Sequence, residues 1–240
     1  MHTIENGDLS GKTILEVGSG RGDTTRALVA LLEGKSGTQL IVTDISDRFF
    51  EEFQNRDIQL RFLQTGAHEL KGVLDSSIDF LVCNYTLCAV NSQAGLVSLA
   101  LKRFHDVLKP GGKLLIEEEF PISKQDTPRQ AVWAEKWRIL KSAMILAGYF
   151  PFNEMEPDLL ESLCCLAGFE NVEWTQHTEI HQGVEALDFF QKRTDALFKE
   201  LPVENIRNGF AEMAANVREK ARQVGGMEIP FYRLVAQKSE

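Results

Sequence analysis

Apolar positions along the chain fall into short runs separated by stretches of helical period. Ile14-Leu15 with Val17 form one run, Leu40-Ile41-Val42 a second, and Ile78 to Cys83 and Leu114 to Ile116 two more. Residues 58–63, Ile-Gln-Leu-Arg-Phe-Leu, alternate instead, as a half-buried strand does. Between these runs the period changes. Residues 24–32 read as a helix, as do residues 47–55 with Phe49, Phe50 and Phe53 on one side. Ser92 to Leu108 is amphipathic, with Leu96, Val97, Leu99, Ala100, Phe104, Val107 and Leu108 inward. Gly34 closes the first helix and Lys109-Pro110-Gly111-Gly112 stops the third. Strands alternating with helices predict an α/β fold around a mostly parallel sheet.

Past residue 120 the pattern loosens. Thr127 to Ala147 predicts a helix carrying Trp133, Trp137, Leu140, Met144 and Ile145. The two tryptophans are four apart and share a face. Pro157 to Phe169 predicts another helix ending at Gly168, and Val172 to Thr178 a sixth strand. The last strand is residues 230–237. Residues 180–228 lie between these two strands and hold helical patterns around Glu185–Leu201 and Val203–Val224.

The turn after the first strand is Gly18-Ser19-Gly20-Arg21-Gly22-Asp23, with Asp23 or Thr24 as the expected helix cap. Glycine there lets backbone approach a ligand closely. The dinucleotide spacing G-x-G-x-x-G is not met, because Asp23 stands where its last glycine would fall. Glu16 precedes the loop; a carboxylate repels a diphosphate and suits an ammonium or ribose hydroxyls. Asp44 ends the second strand, where an acid matches two adjacent ribose hydroxyls; Asp47 competes, but Ser46-Asp47 looks like a helix start. Asn84 and Tyr85 follow the fourth strand, near the switch in strand order where open sheets bind ligands.

The pattern Glu16-x-Gly18-x-Gly20-x-Gly22, the acid at Asp44, the strand-four loop and Val107-Leu108-Lys109-Pro110-Gly111-Gly112 resemble the class I S-adenosylmethionine-dependent methyltransferases of small-molecule type. The likeness covers about residues 10–120. It implies a Rossmann-like seven-stranded sheet, mostly parallel with the last strand antiparallel, helices on both faces, and here a helical insert between the last two strands. The whole chain, 1–240, is expected to be one methyltransferase domain, with residues 122–150 and 180–228 forming the acceptor side or a lid. The implied cofactor is S-adenosyl-L-methionine, released as S-adenosyl-L-homocysteine. Its amino-acid end falls to Glu16, Gly18, Ser19, Gly20 and Gly22, its ribose to Asp44 and Ile45, its adenine to Ala67 and His68, and its methionine half to Asn84 and Tyr85. Gly66 stands where the family often has an adenine-binding acid. Tyr85, Cys88, Glu119, Trp133 and Trp137 are the acceptor candidates. His177, His181, Glu117, Glu118 and Glu119 are base candidates by location only, and no catalytic base is assigned.

The expected reaction is in-line methyl transfer to a small, partly apolar acceptor, driven by positioning and water exclusion. A cofactor-binding regulatory or inactive partner subunit is the competing reading. An NAD enzyme fails on the third glycine and on Glu16. Composition narrows the partners. The 240 residues carry a net charge of −9 without a strongly basic stretch, which disfavours nucleic acid. No apolar run approaches the roughly 18 residues of a membrane span, and residues 1–8 lack a secretory pattern. Cys83, Cys88, Cys164 and Cys165 fit no usual zinc spacing or disulfide framework and are expected to be reduced thiols in a cytoplasmic protein, with a soft-ion thiol cluster as the alternative. No metal site is expected, and the insert is expected to serve as a lid or as a homodimer contact.

Overall fold

The computed structural model describes residues 9–50, 59–93 and 95–240. Strands β1 (Thr13–Val17), β2 (Gln39–Asp44), β3 (Gln59–Gln64) and β4 (Ile78–Asn84) alternate with helices α1 (Asp23–Leu32), α2 (Leu87–Val90) and α3 (Leu96–Val107). Then come β5 (Leu108–Glu119), α4 (Pro128–Leu146), α5 (Pro157–Leu166), β6 (Phe169–Gln182), α6 (Asp188–Leu197), α7 (Glu204–Val224) and β7 (Gly226–Lys238). The seven strands form one sheet in the order β3-β2-β1-β4-β5-β7-β6. Six run parallel and β7 antiparallel: Gly111, Glu117 and Phe120 of the β5 side meet Gln237, Arg233 and Pro230 in reverse order. The helical insert between the last two strands is α6 with α7, flanked by short 3-10 turns at Val184–Leu187 and Phe198–Glu200.

Several boundaries depart from the sequence pattern. The expected helix over 47–55 and the strand start at Ile58 lie partly outside the described residues; residues 48–49 form a turn. Helix α3 starts at Leu96 after Gly95, whose positive φ of 84° turns the chain in. Strand β5 begins at Leu108, six residues early, because Leu108 pairs with Ile78 before Lys109–Gly112 bulge out and pairing resumes at Phe80 with Lys113. Gly112 must be glycine in this bulge, since a Cβ would lie 2.8 Å from the Lys109 carbonyl oxygen.

The chain divides into two compact units. The first comprises Met1–Glu118, Pro157–Thr175 and Arg233–Glu240. Its main core is built by period. Ile14 pairs in register with Leu40 and Phe80, so these residues share one sheet face, and Leu28, Val29 and Leu32 of α1 pack among the same core residues. The second unit comprises Glu119–Glu156 and Gln176–Tyr232. Here Thr127 caps α4 by accepting from the Gln130 N–H, with Pro128 in the first turn. Helix α7 buries Phe210, Ala214, Val217 and Ala221, a stripe at helical spacing, in packing against α4. Gln130 Nε2 donates to Glu228 and Arg129 Nε to the Val224 carbonyl, tying the start of α4 to the end of α7 and to β7.

Candidate functional site

The glycine loop is shaped by three positive φ angles, at Gly18, Gly20 and Gly22. The first two positions need glycine for different reasons. A Cβ on Gly18 would lie 2.1 Å from Thr86 Oγ1, so Gly18 lets the loop after β4 close against the loop after β1. Thr86 Oγ1 donates to the Gly18 carbonyl at that approach. A Cβ on Gly20 would meet nothing within 4 Å; only its φ of 52° favours glycine, and the space above it is open. Thr43 O accepts from both Gly18 N and Ser19 N, holding the loop to the end of β2. Gly22, and not Asp23 or Thr24, is the cap residue of α1, and no side chain caps this end. The end of a helix left uncapped by side chains is a place where ligand acceptors find backbone donors.

Asp44 docks on this loop. One carboxylate oxygen accepts from Gly20 N at 2.8 Å and the other from Ser46 N at 2.8 Å. Each oxygen keeps a second lone pair for a hydroxyl. Ile45 beside it is 76% exposed. The Asp44 carbonyl accepts from Thr65 N, which anchors the loop carrying Ala67, buried, and His68, half-buried. Asn84 Nδ2 donates to Thr24 Oγ1 at 3.3 Å. Tyr85 has a positive φ of 50°, a strained angle for a bulky residue, and a side chain that stays exposed. The Cys88 thiol donates to the Tyr85 carbonyl at 3.7 Å.

Two carboxyls in this unit are buried without a cation. Glu16 is 1% exposed and projects from the same sheet face as Ile14 toward α1, where Thr25 Oγ1 donates to its Oε2 at 2.7 Å. Its Oε1 has no partner. Burial, reinforced by the Asp44 charge and opposed by the Thr25 bond, raises its pKa to about 7. Glu118, 2% exposed, accepts from Leu87 N at 2.6 Å, and its Oε2 is likewise unpartnered. Burial raises its pKa to about 8 against the opposing bonds from residues 86–88. Cys83 is pushed well up by burial and then by these two acids. Sequence reasoning missed Thr25, although it sits three, four and seven residues before Leu28, Val29 and Leu32, a polar member of a buried stripe.

In the second unit, Glu119 Oε2 accepts from the indole N–H of Trp133 at 2.7 Å and of Trp137 at 2.6 Å. Trp133 is fully buried and Trp137 half-buried, so Trp133 is a core anchor while part of Trp137 is reachable. The remaining base candidates lie against neighbours, although His181 Nε2 is buried with no hydrogen bond. Arg233 pairs with Glu117, His177 stacks on Phe231, and His181 lies 3.2 Å from Glu179. Among the described residues, no His, Cys, Asp and Glu group is arranged to hold a metal ion, and no helix is long and apolar enough to cross a membrane.

The chain matches the methyltransferase-domain family over residues 15–116, from within β1 to Ile116 in β5. It is 30% identical over 202 residues to the ubiquinone/menaquinone biosynthesis C-methyltransferase UbiE of Shewanella sediminis, covering 75% of this chain and 77% of that protein. It is 28% identical over 208 residues to the UbiE of Ectopseudomonas mendocina, covering 76% and 77%. This chain is a class I S-adenosylmethionine-dependent methyltransferase. Its fold is that of a Methanosarcina mazei S-adenosylmethionine-dependent methyltransferase, with a TM-score of 0.57 at 17% identity, covering 95% of this chain and 92% of that one. Haemonchus contortus phosphoethanolamine N-methyltransferase 2, solved with S-adenosyl-L-methionine, also aligns, with a TM-score of 0.56 at 16% identity over 100% of this chain and 51% of that one. The methyltransferase uses S-adenosylmethionine to methylate a small molecule. Its first unit suits that donor chemically. The open space over Gly20 and the orphaned, buried Glu16 oxygen favour a cationic, hydroxyl-bearing ligand over a diphosphate.

Proposed function

We propose that Glu16, Gly18, Ser19, Gly20 and Gly22 hold the amino-acid end of S-adenosylmethionine, Asp44 and Ile45 its ribose, Ala67 and His68 its adenine, and Asn84 and Tyr85 its methionine half. Residues 122–150 and 180–228 bind the acceptor, with Trp137 the principal apolar contact. Trp133 and Glu119 support the acceptor side indirectly, one as a core anchor and one as acceptor of both indole N–H groups. The acceptor is a small, partly apolar ring that is methylated at carbon. The names of the UbiE relatives support that class. The methyltransferase works in the cytoplasm as a single-domain enzyme.

The observation that carries this reading is Glu16, whose one oxygen is bonded to Thr25 and whose other is unsatisfied beside a glycine loop. A buried carboxyl in that condition is stabilised by a ligand cation. Bound S-adenosylmethionine supplies an electrophilic methyl group on a positive sulfur. The chain's own contribution is to fix the donor and to exclude water, since the sulfonium charge disappears as the new bond forms. No catalytic base is assigned.

Calorimetry with S-adenosylmethionine and S-adenosylhomocysteine tests the assignment. Both bind the wild type, and Asp44→Ala weakens each by about tenfold or more, the order expected for losing a hydrogen bond to a charged group. Absence of heat with either compound, or an unchanged affinity in Asp44→Ala, overturns it.

A further inference from the structure

Among the described residues of the second unit, two half-buried cations, Lys136 and Arg193, have neither an ion pair nor a hydrogen bond. The Lys136 ammonium lies 4.4 Å from the centre of the Trp137 ring, and the Arg193 guanidinium 5.0 Å from that of Phe152. The two rings meet edge to face with centroids 5.9 Å apart. All four side chains are half-buried. Among the described residues neither Lys136 nor Arg193 makes a hydrogen bond or an ion pair. The other half-buried lysines and arginines of this unit are partnered, among them Lys141 with Glu154, Arg218 with Asp188, and Arg129 and Arg207 with the Val224 and Leu201 carbonyls.

The local charge does not balance. Glu154 is taken by Lys141, and Glu119 spends one oxygen on two indole N–H groups. Three cations, Lys136, Lys141 and Arg193, face two acids, Glu119 and Glu154, so one positive charge is left over. Burial holds Lys136 below the ordinary lysine range, with Glu119 and Glu154 acting against it and Arg193 adding to it. Burial lowers Arg193 as well. A half-buried cation with only a ring face beside it lacks an anionic partner, and a ligand anion that supplies one lowers the cost of its burial.

We propose that Lys136 and Arg193 form an anion-binding subsite for the acceptor, which is a small aromatic ring bearing one carboxylate. The single uncompensated charge calls for a monoanion. The planar fork of Arg193 matches the two oxygens of a carboxylate, and Lys136 adds a point charge. The half-buried rings of Trp137 and Phe152, each with a cation over one face, supply the apolar surface beside that charge. This rests on the reading that the second unit binds the acceptor, and it narrows that acceptor to an acid.

The test is titration of the full-length protein, free and saturated with S-adenosylhomocysteine, with 2-naphthoate and with the uncharged 2-naphthamide, followed by tryptophan fluorescence and calorimetry. Naphthoate binds saturably and at least about tenfold more tightly than naphthamide. Lys136→Gln with Arg193→Gln removes the preference, and Arg193→Lys keeps part of it, because the charge remains while the fork is lost. Equal affinity for the two compounds, no saturable naphthoate binding, or an undiminished preference in the folded double variant overturns the proposal. The wild-type comparison needs no variant to fold. S-adenosylhomocysteine heats from the same samples separate the two readings: a protein that binds this product without preferring naphthoate loses the subsite alone. A protein that does not bind the product loses the donor assignment, and naphthoate is then judged on the cofactor-free protein.

Discussion

In the first unit Glu16 and Glu118 are buried with no cation beside them, each bonded through one oxygen and unsatisfied at the other. In the second unit Glu119 accepts both indole N–H groups on one oxygen, and two half-buried cations, Lys136 and Arg193, have no ion-paired acid among the described residues. Glu118 and Glu119 are chain neighbours, yet alternation along β5 turns one into a buried face with Leu114 and Ile116 and the other away from it. The groups compared differ in sign: two buried acids in the first unit and two half-buried cations in the second. The proposed donor would answer the first pair and the proposed acceptor the second.

The largest effects should come from the backbone. Gly18→Val in the first unit puts a Cβ into Thr86 at a positive φ and should cost about 3 kcal/mol or more and abolish S-adenosylhomocysteine binding. Gly226→Val in the second unit sets a Cβ 2.2 Å from the His181 carbonyl oxygen at φ 128°. Its loss in stability should be comparable, but the product should still bind within about threefold. Urea denaturation beside calorimetry reads both. Loss of product binding in Gly226→Val would erase the division of labour between the units.

Next come the neighbouring glutamates, which should respond with opposite sign. Glu119→Ala strands two indole N–H groups and removes an acid that acts on Lys136, a cost of about 2–4 kcal/mol. Glu118→Gln should instead stabilise the protein at pH 8.5. Burial raises the folded pKa values of Glu16 to about 7 and Glu118 to about 8, above the unfolded carboxyl value. The folded state therefore holds these protons longer than the unfolded chain. That contribution is complete below about pH 4.5 and is lost as the pH rises through 7 and 8, on the order of 3 kcal/mol for Glu16 and about 5 kcal/mol for Glu118. Denaturation midpoints at pH 5.5 and 8.5 should converge in Glu118→Gln relative to wild type. An unchanged pH dependence would show that Glu118 ionises freely.

The same contrast explains what the sequence disclosed. The first unit is governed by backbone requirements, and those leave local marks: glycines where φ is positive, an acid at the end of β2, and the Lys-Pro-Gly-Gly stop. Even there, two details escaped. Lys109–Gly112 is a bulge within β5, because pairing at Leu108 starts the strand before the turn. Gly22 heads α1 because the loop's left-handed turn runs directly into the helix, leaving no place for a side-chain cap. In the second unit the deciding contacts join residues far apart in sequence. Trp137 with Phe152, Arg193 with Phe152 and Glu119 with two indoles have no local signature. The shared face of Trp133 and Trp137 was legible from their spacing; that one oxygen of Glu119 takes both N–H groups was not.

The smallest effect is the most specific to Glu16. Thr25→Val removes the one hydrogen bond that holds its pKa down, so the carboxyl should titrate above 7. A ligand ammonium requires the ionised form, so product affinity in the wild type should rise with pH through about 7 and level off above it. In Thr25→Val that rise should move to higher pH. The variant then binds several-fold more weakly near pH 6.5 and equally well near pH 9, and Thr25→Ser restores the wild-type profile. A uniform loss at every pH would mean that Thr25 only packs, and that Glu16 meets no charged group of the donor. The shifted profile, by contrast, cannot arise from packing alone, because a packing defect does not know the protonation state of a carboxyl.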